Sequence, residues 1–480
     1  MAWLQQHLPL IGSLYYASEW VIRIVMLLYV PQRRTPAAAR TWLLLILFLP
    51  WPGLVLYAIF GRVYYPQQRI AMQRQVAELV QRTRDRLLRH ENIAPPVIAA
   101  PFDQPARLAE NLGDFPPSAG NRFELLGDYA GTIDRLVADI DAAASHVHLL
   151  YYIFEDDRTG RQVAAALMRA AARGVTCRLL MDSIGSKGAR RRLAHELRAA
   201  GVEVIELMRV RWFRRNAARF DLRNHRKIAV IDGRIGYTGS QNIVAAEANA
   251  GMTNEELVVR ATGQVVRQLQ ILLLADRYLE TGDEKTHPSW FPPPERTGSS
   301  AAQVLGSGPG YRQGQVDHVL ITLMHAATRR IVLTTPYFIP DTAFLLTMRL
   351  AVERGVEVHL IVSKHSNQRL ARLAQQSFYD DLLDAGVQVH FYRRNFLHAK
   401  HASFDDRVAL IGSSNLDIRS FALNSEISLL IYDPAVVAEL GAVQARYLAD
   451  ADRLDAAVWG ARPAWQRLLQ NTGRLADSFL

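Results

Sequence analysis

The sequence predicts an α/β protein in which an N-terminal helical hairpin precedes two similar repeats. The spacing His-x-Lys-x4-Asp occurs twice, beginning at His225 and at His398, and each copy is followed by Gly-Ser-x-Asn and then by Asn-x-Glu. Runs typical of helices and strands alternate in the same order around both motifs. Two long apolar runs stand near the N-terminus. A duplicated unit therefore accounts for most of the chain.

The N-terminal segment, residues 1–65, is predicted to be a transmembrane hairpin of two helices. Residues 42–60 carry no charged side chain and would form a helix about 28 Å long, which is enough to cross the hydrocarbon of a bilayer. Pro50 and Pro52 predict a kink in this helix. Residues 8–30 form the other predicted helix.

The helix at residues 8–30 contains Glu19 and Arg23, whose i,i+4 spacing lets the two charges neutralise each other on one helix face. A cleaved signal peptide is the alternative. No Lys or Arg precedes the first apolar run, however, and the second run is too long for the apolar core of a signal peptide. Basic residues on the two sides of the second run are nearly balanced, so the charge distribution leaves the membrane sidedness open.

Two repeats follow, with predicted bounds of 123–296 and 297–480. Residues 66–122 are predicted to be a polar helix and a linker, because residues 94–121 are rich in Pro, Gly and Ala without sustained periodicity. A second Gly-, Ser- and Pro-rich stretch, 297–310, joins the repeats. The predicted helix, strand, helix and strand are 129–144, 147–154, 160–173 and 175–182 in the first repeat, and 316–327, 330–335, 341–354 and 356–363 in the second.

Composition indicates a folded protein with an anionic partner. Of 480 residues, 49% are hydrophobic, which excludes general disorder, and the formal net charge is +10. This charge favours a nucleic acid or an acidic lipid surface and does not choose between them. The single cysteine, Cys177, lies in an apolar strand-like run, so core packing is its predicted role. One cysteine excludes an intramolecular disulfide and a cysteine-based metal site.

The repeated motif has the residues needed for phosphoryl chemistry. On a strand, residues i and i+2 point to one face, so each imidazole is expected beside an ammonium group. A neutral imidazole can attack phosphorus while the ammonium group stabilises the non-bridging oxygens. The aspartates lie at the predicted turns that follow the motif strands, and they are expected to support the motif geometry. The six motif residues are His225, Lys227 and Asp232 in the first copy and His398, Lys400 and Asp405 in the second.

Two histidines permit a division of labour, in which one attacks and the other transfers protons. Glu256 follows His225, and Glu426 follows His398, so each glutamate is expected to fix the tautomer of the histidine in its own repeat. Glu255 is the alternative partner of His225. Metal binding is disfavoured because a lysine accompanies each histidine. The predicted phosphate-binding residues are Ser240, Asn242, Ser413 and Asn415.

With its doubled His-x-Lys-x4-Asp and the following Gly-x-x-Asn, the chain resembles the phospholipase D superfamily from about residue 123 to the C-terminus. Within that superfamily it is similar to the bacterial cardiolipin synthases. The hairpin carries part of this similarity. The rest lies in Asp-Ser-Ile-Gly-Ser at 182–186, Thr-Pro-Tyr-Phe-Ile-Pro at 335–340, Asn-Leu-Asp-Ile-Arg-Ser at 415–420 and Leu-Asn-Ser-Glu at 423–426.

The resemblance implies two phospholipase D-like repeats related by pseudo-twofold symmetry, with one site between them and no metal or other cofactor. It implies that one phosphatidylglycerol loses glycerol to form a phosphohistidine intermediate, and that a second attacks to give cardiolipin. His225 is then the nucleophile and His398 the acid and base. The implied setting is a phospholipid bilayer, with a multi-pass protein of the bacterial inner membrane whose catalytic domain is cytoplasmic.

Other functions stay open at this point. A hydrolytic phospholipase D would differ only in using water as acceptor. A membrane-tethered nuclease would use the same doubled site on nucleic acid, although the hairpin disfavours a nucleic acid partner. A non-catalytic lipid-binding relative is disfavoured because both motifs are intact. The oligomeric state is not predicted.

Two weaker features accompany these predictions. Residues 211–220 mix cations and aromatic rings before the first motif, and they are either an ordinary surface loop or a contact with headgroups or phosphates. The C-terminus is predicted to be helical, with Leu468, Leu469, Leu475 and Leu480 as packing residues.

Overall fold

The computed structural model describes residues 2–34, 36–61, 71–73, 75–76, 78, 96–113, 115–209, 222–248, 251–284, 286–309 and 316–474. The basic and aromatic segment at 211–220, most of the predicted polar helix, Leu475 and Leu480 lie outside these residues. The chain divides into two compact units, of which Met1–Tyr64 is the first and nearly all remaining residues form the second.

The N-terminal unit consists of helices α1 Ala2–Tyr29, α2 Pro36–Phe48 and α3 Pro50–Phe60. The second predicted helix is divided at Leu49, because Pro50 lacks the N–H that would continue it and begins a new helix. Glu19 and Arg23 form the expected ion pair at 3.3 Å. By length and composition, Leu10–Tyr29 is the one described helix long and apolar enough to cross a membrane. The segments 38–48 and 50–60 are shorter apolar helices.

The second unit is α/β. Its helices are α4 Asp103–Gly113, α5 Tyr129–Asp141, α6 Arg158–Ala172, α7 Lys187–Arg191, α8 Leu193–Ala199, α9 Val265–Thr281, α10 Val316–Ala326, α11 Thr342–Glu353, α12 Arg369–Gln376, α13 Tyr379–Asp384, α14 Ile418–Ala422, α15 Pro434–Ala449, α16 Ala456–Gly460 and α17 Ala464–Arg474. Its strands are β1 Ser118–Leu126, β2 His146–Tyr151, β3 Thr176–Asp182, β4 Glu203–Leu207, β5 Arg223–Asn224, β6 Lys227–Ile231, β7 Ile235–Gly239, β8 Asn254–Glu255, β9 Val258–Thr262, β10 Ser300–Ser307, β11 Arg330–Thr334, β12 Phe338–Ile339, β13 Glu357–Ser363, β14 Gln388–Tyr392, β15 Phe396–Leu397, β16 His401–Phe404, β17 Val408–Gly412, β18 Leu416–Asp417, β19 Asn424–Ile431 and β20 Ala451–Arg453.

The helix, strand, helix and strand predicted at the start of each repeat are confirmed as α5, β2, α6 and β3, and as α10, β11, α11 and β13. Aspartates begin several of these helices. The side chains of Asp128, Asp157 and Asp341 accept hydrogen bonds from backbone N–H groups in the first turns of α5, α6 and α11. Local capping and apolar periodicity therefore account for these elements.

One sheet runs through both repeats in the order β20-β14-β13-β11-β16-β17-β19-β10-β1-β9-β7-β6-β2-β3-β4. The strands β1 and β10 pair antiparallel near its middle. Outward from this pair, β9, β7, β6, β2, β3 and β4 on one side correspond to β19, β17, β16, β11, β13 and β14 on the other. The matching order and the antiparallel central pair are those of two repeats related by a twofold axis.

The linker predicted at residues 94–121 is wrong. This stretch contains α4 and the first part of β1, which lies in the middle of the sheet. Its small residues permit close packing: Ala109 is fully buried, and a Cβ added to Gly113 would lie 2.9 Å from Cδ1 of Leu305 on β10. The Gly- and Ser-rich join at 297–310 likewise contains β10. Small residues were therefore a sign of tight packing in both stretches.

Helices cover both faces of the sheet. On the outer face, α5 and α6 pack on the first repeat, and α10 and α11 pack on the second. On the other face, Leu269 and Leu273 of α9 and Leu440 of α15 belong to one cluster with strand residues of both repeats. The repeats therefore share a core. Cys177 is buried in the first repeat as predicted, and burial raises the pKa of its thiol to about 11.

The C-terminal helix departs from expectation. The side chains of Leu468 and Leu469, predicted to pack inward, are exposed on α17. The inward residues of this helix are instead Gln470 and Gly473.

Candidate active site

Each motif lysine lies against the backbone of its own histidine. Lys227 is the first residue of β6, and its Nζ donates a hydrogen bond to the carbonyl oxygen of His225 at 2.6 Å. Lys400 immediately precedes β16, and its Nζ donates to the carbonyl oxygen of His398 at 2.5 Å. Both lysines are buried. The two-residue spacing thus brings an ammonium group to each histidine.

Each histidine pairs with a glutamate of the other repeat. Nδ1 of His225 lies 2.9 Å from Oε1 and 3.0 Å from Oε2 of Glu426. Nδ1 of His398 lies 2.7 Å from Oε1 of Glu256. The predicted pairing within each repeat, His225 with Glu256 and His398 with Glu426, is therefore wrong. Both repeats are needed to complete either pair.

The crossed pairing follows from two short parallel strand contacts between the repeats. The strand β5, just before His225, pairs with the start of β19, and His225 N donates to the carbonyl oxygen of Ser425 at 2.8 Å. The strand β15, just before His398, pairs with β8, and His398 N donates to the carbonyl oxygen of Glu255 at 2.8 Å. In each contact, one strand is followed directly by the histidine and the strand paired with it is followed directly by the glutamate. The parallel pairing therefore places the two side chains next to each other.

Glu256 rather than Glu255 contacts an imidazole. The carboxylate of Glu255 accepts hydrogen bonds from the Tyr392 hydroxyl at 3.0 Å and from Nδ2 of Asn395 at 2.8 Å. Successive side chains of an extended segment point to opposite sides, so only one of the two acids can reach His398. The sequence expectation that favoured Glu256 over Glu255 selected the correct acid but the wrong histidine.

Burial sets the charge state of the two histidine–glutamate pairs. It lowers the pKa of His225 to about 4, although Glu426 opposes the shift, and it lowers the pKa of His398 against the opposing effect of Glu256. Burial alone would raise the pKa of each glutamate, but the neighbouring histidine and lysine hold both carboxyl pKa values below their usual range. At neutral pH the site therefore has neutral imidazoles beside carboxylates.

The two lysines share this buried environment. Burial lowers the pKa of Lys227 to about 7 and that of Lys400 to about 8, while Glu426 and Glu256 oppose the shift. The Tyr152 ring lies beside this group, with its centroid 5.5 Å from Nζ of Lys227 and 4.8 Å from the His225 ring centroid. Tyr152 therefore forms a wall of the site.

The two predicted phosphate-binding serines are hydrogen-bonded to a glutamate or to the residue that follows one. The Ser413 hydroxyl donates to Oε2 of Glu426 and accepts from Ile427 N at 3.0 Å. Ser240 Oγ accepts from Leu257 N at 2.9 Å, and its hydroxyl donates to the carbonyl oxygen of Leu257, the residue after Glu256, at 3.2 Å. The geometry therefore gives both serines a positioning role, which their spacing after the motif could not distinguish from phosphate binding.

The two predicted asparagines differ from each other. Asn242 Oδ1 accepts a hydrogen bond from Ile153 N at 3.1 Å, which ties the end of β7 to the segment after β2. Asn415 Oδ1 is buried and has no hydrogen-bond partner among the described residues. Among the residues that the structure describes, no group of three or more His, Cys, Asp or Glu side chains is arranged to hold a metal ion.

Residues 136–273 and 320–446 match a family model described as Cardiolipin synthase, PLD-like domain. Cardiolipin synthase A of Yersinia pseudotuberculosis serotype O:3 (strain YPIII) is 35% identical over 461 residues, which cover 94% of this chain and 93% of that protein. This chain belongs to the cardiolipin synthase family. A second member, cardiolipin synthase A of Pectobacterium carotovorum subsp. carotovorum (strain PC1), is 35% identical over 468 residues. Residues 20–62 match a model described as Phospholipase_D-nuclease N-terminal.

The fold is shared more widely than this family. A solved phosphatidylserine synthase of Haemophilus influenzae Rd KW20 superposes with a TM-score of 0.59 at 16% identity. The alignment covers 78% of this chain and 99% of that one. At this identity the likeness establishes a common fold.

Both motif aspartates anchor turns, as the sequence predicted. Asp232 and Asp405 adopt positive φ angles of 53° and 52° after the motif strands. The Asp232 carboxylate accepts from the backbone N–H groups of Ala144, Ser145 and His146 at 2.7–2.9 Å. The Asp405 carboxylate accepts from the corresponding groups of residues 328, 329 and 330 at 2.6–2.9 Å. Each aspartate therefore fixes its motif hairpin to the start of a neighbouring strand.

Asp405→Ala is expected to destabilise this family member by about 3 kcal/mol, because three backbone N–H groups lose a charged acceptor. Thermal unfolding of the detergent-solubilised protein measures the effect. Asp406→Ala is the matched control, since Asp406 is the next residue of the same turn, has a similar φ of 54° and pairs with the exposed Arg329 side chain. Equal destabilisation by the two changes would contradict the anchoring role.

A buried arginine within the first motif, which the sequence analysis missed, connects the motif to α9 and to β19. Arg226 is fully buried, and its Nη1 lies 2.6 and 2.7 Å from the two carboxylate oxygens of Asp276 on α9. Its Nε donates to the carbonyl oxygen of Glu426 at 2.9 Å, and its Nη2 donates to that of Ser307 at 3.1 Å. The second motif has Ala399 at this position. A lone aspartate inside the apolar run of α9 was the available signal.

Arg226→Met is expected to lower the free energy of unfolding by about 3–5 kcal/mol, because it leaves the Asp276 carboxylate buried without its guanidinium partner. The double variant Arg226→Met with Asp276→Leu removes both charges and should recover much of the loss. Thermal unfolding of the two variants is the measurement. A double variant less stable than Arg226→Met would contradict this explanation.

A further buried acid holds the strand that sets the crossed pairing. Asp182 at the end of β3 is fully buried, and its Oδ2 accepts from Asn224 N at 3.2 Å. Its Oδ1 accepts from Arg223 Nη1 at 3.2 Å and from the N–H groups of Ile184 and Gly185. Asp182 therefore fixes β5, and with it the position of His225.

Proposed function

We propose that the protein is a cardiolipin synthase that transfers a phosphatidyl group from one phosphatidylglycerol to another through a phosphohistidine. The observation that carries this proposal is the pair of buried histidine–glutamate contacts, each completed by both repeats and each accompanied by a lysine. Membership of the cardiolipin synthase family supports the choice of substrate. The two-histidine arrangement supplies one group for attack and one for proton transfer.

In the first step we assign attack to His225. Its Nδ1 is held by Glu426, so Nε2 is the free nitrogen that bonds to phosphorus. The bound phosphodiester anion raises the pKa of His398, so this imidazole takes up a second proton, on Nε2, before the reaction. The bond from phosphorus to the glycerol headgroup then breaks, and the Nε2 proton of His398 moves to the departing glycerol oxygen. Glu426 stabilises the positive charge that develops on the His225 ring as the phosphorus–nitrogen bond forms.

In the second step the headgroup hydroxyl of another phosphatidylglycerol attacks the phosphohistidine. His398, now neutral, takes the hydroxyl proton, and Glu256 stabilises the resulting imidazolium. The phosphorus–nitrogen bond breaks, which releases cardiolipin and restores neutral His225. Glycerol and cardiolipin are the only products, so the histidines end the cycle in their starting protonation states.

The lysines are assigned to the non-bridging phosphate oxygens. Both lysines are buried, so their ammonium charges act strongly on a phosphodiester anion in the site. Glu256 and Glu426 offset the charge of the two buried ammonium groups and so oppose the loss of their protons on burial.

The value of kcat/KM is expected to fall as pH rises through about 7–8, the pKa range of Lys227 and Lys400. Lysine is charged below its pKa, so the binding charge is present at lower pH and lost at higher pH. A bound phosphodiester raises both pKa values, so the corresponding decline in kcat should occur at higher pH. Initial rates between pH 6 and pH 10, on the order of ten values, provide the profile. A kcat/KM that stays constant up to pH 9.5, about two units above that range, would contradict the assignment.

The N-terminal unit is proposed to hold the enzyme in the bacterial inner membrane. Apolar side chains such as Leu14, Leu28 and Val21 are exposed on α1, as lipid contact requires. We propose that α2 and α3 together make a second crossing and that the catalytic unit faces the cytoplasm. Labelling of single cysteines introduced at residues 33 and 97 with a membrane-impermeant reagent tests this topology.

The reaction is tested with purified full-length protein, phosphatidylglycerol in mixed micelles and a chelator. Mass spectrometry of the lipids should show cardiolipin, with one glycerol released for each. Phosphatidic acid as the sole product would replace the proposal with a hydrolytic phospholipase D. Cleavage of added single-stranded or duplex DNA without any lipid product would replace it with a nuclease.

A further inference from the structure

The C-terminal helix α17 exposes apolar side chains and buries polar ones. Trp465, Leu468 and Leu469 are 63%, 70% and 47% exposed, whereas Gln470 is 6% exposed and Gly473 is buried. A helix that only packs against its own protein shows the reverse arrangement. We call Trp465, Leu468 and Leu469 the α17 apolar face. An apolar face of this kind marks a surface for another partner.

Specific contacts fix the rotation of α17. Gln470 Nε2 donates to Oε1 of Gln376 on α12 at 3.3 Å, and Gln470 Oε1 accepts from Arg462 Nε at 2.9 Å. A Cβ on Gly473 would lie 2.9 Å from Cβ of Leu373, so only glycine allows the helices to approach this closely. The apolar face therefore cannot turn inward without breaking these contacts.

Arg462 anchors the same assembly. Its guanidinium forms a two-bond ion pair with Asp380, at 2.9 and 2.5 Å, and lies 4.2 Å from the Trp459 ring centroid. The Arg462 side chain is 7% exposed. Arg462 thus attaches the turn before α17 to Asp380 of α13.

Charge favours a lipid surface as the occupant. Arg467 on α17 and Arg369 and Arg372 on α12 are exposed, and none of the three has an ion-pair partner within the described part of the chain. Helix α17 contains no acidic residue. Exposed Leu370 adds apolar surface on the neighbouring helix. A tryptophan and leucines beside free arginines are the composition that inserts at an anionic membrane surface.

A second copy of the chain fits this surface less well. In a symmetric dimer the same patch meets itself, so Arg369, Arg372 and Arg467 would approach their own copies. Like charges in such an interface are repulsive and have no acidic partner on the patch. Anionic headgroups supply the missing opposite charge.

We propose that the α17 apolar face and the start of α12 dock the catalytic unit onto an anionic lipid surface. This contact is additional to the attachment by the N-terminal helices, and it does not depend on the reaction that the site performs. Arg372 and Gln376 of α12 and Trp459 also line a pocket of ≈ 220 Å³ that includes Lys364. The docked face therefore lies beside a cavity with cationic side chains.

The test places an environment-sensitive fluorophore on Leu468→Cys in the full chain, whose natural Cys177 is buried. The protein is reconstituted into vesicles of phosphatidylethanolamine and phosphatidylglycerol with brominated acyl chains. Asn471→Cys is the matched control, because it is exposed on the same helix and is not one of the residues of the α17 apolar face. Bromine should quench the probe at 468 about two-fold or more beyond the probe at 471.

Replacing phosphatidylglycerol by a zwitterionic lipid should reduce this quenching, and so should the variant Arg369→Glu with Arg372→Glu. Equal, weak quenching at residues 468 and 471 would overturn the proposal. Energy transfer between labelled copies, in place of quenching by lipid, would overturn it in favour of a dimer contact. Because the readout is fluorescence, it is independent of whether the protein makes cardiolipin.

Discussion

Alanine in place of either motif histidine is expected to lower the rate of cardiolipin formation by on the order of 10⁵–10⁶-fold. His225→Ala removes the atom that bonds to phosphorus, and His398→Ala removes the group that protonates the leaving glycerol. Because each histidine contacts a glutamate of the other repeat, neither repeat retains a complete site after one substitution. The measurement is the initial rate of cardiolipin formation in mixed micelles.

His318→Ala is the control for these variants, since His318 is exposed on α10. It should retain the wild-type rate. Thermal unfolding shows whether the motif variants stay folded. A motif variant that keeps a rate within ten-fold of wild type, about 1.4 kcal/mol in activation free energy, would refute a shared two-histidine site.

Replacing the glutamates by glutamine should lower the rate by on the order of 10³–10⁴-fold, because the amide cannot stabilise an imidazolium and favours a different tautomer. Glu426→Gln acts on His225, and Glu256→Gln acts on His398. Glutamine keeps the shape of the side chain, and at residue 426 its amide oxygen can still accept the hydrogen bond from Ser413. The loss is therefore expected mainly in kcat.

Glu255→Gln is the control for the glutamate variants. Glu255 is adjacent in sequence to Glu256, but its carboxylate contacts Tyr392 and Asn395. Its rate should stay within about three-fold of wild type, since the lost interaction touches neither imidazole. If Glu255→Gln lost as much activity as Glu256→Gln, the assignment of Glu256 to His398 would fail.

Much of the fold could be predicted because its causes are local. Apolar periodicity and aspartate caps define α5, α6 and α11, and the repeated order of elements predicts the duplication. Stretches rich in small residues were misread, since sequence alone does not distinguish flexible glycine from glycine under close packing. Gly113 against Leu305 and Gly473 against Leu373 are examples of the second kind.

The candidate site was predictable in its residues but not in its pairings. Spacing identified His225, Lys227 and Glu256, yet the glutamate partner depends on how β5 meets β19 and how β15 meets β8. Those contacts join residues far apart in the chain, and a twofold arrangement exchanges partners between repeats. Arg226 was missed because its role depends on Asp276, which only tertiary packing brings to it.

The exchanged pairing is tested most directly with a phosphatidylglycerol analogue whose headgroup is p-nitrophenol. This leaving group departs as a stable anion and needs no proton, so the proton donor becomes dispensable in the first step. The readout is the release of p-nitrophenolate in a single turnover by each of the four variants at His225, His398, Glu256 and Glu426.

With the pairing seen here, Glu256→Gln should release p-nitrophenolate nearly as fast as wild type, as His398→Ala does. Glu426→Gln should remain slow, as His225→Ala does, because it affects the nucleophile. The opposite result, with Glu426→Gln rescued and Glu256→Gln slow, would contradict the exchange between repeats or the assignment of His225 as nucleophile. Labelling of the attacked histidine in the slow variants would then identify which of the two is in error.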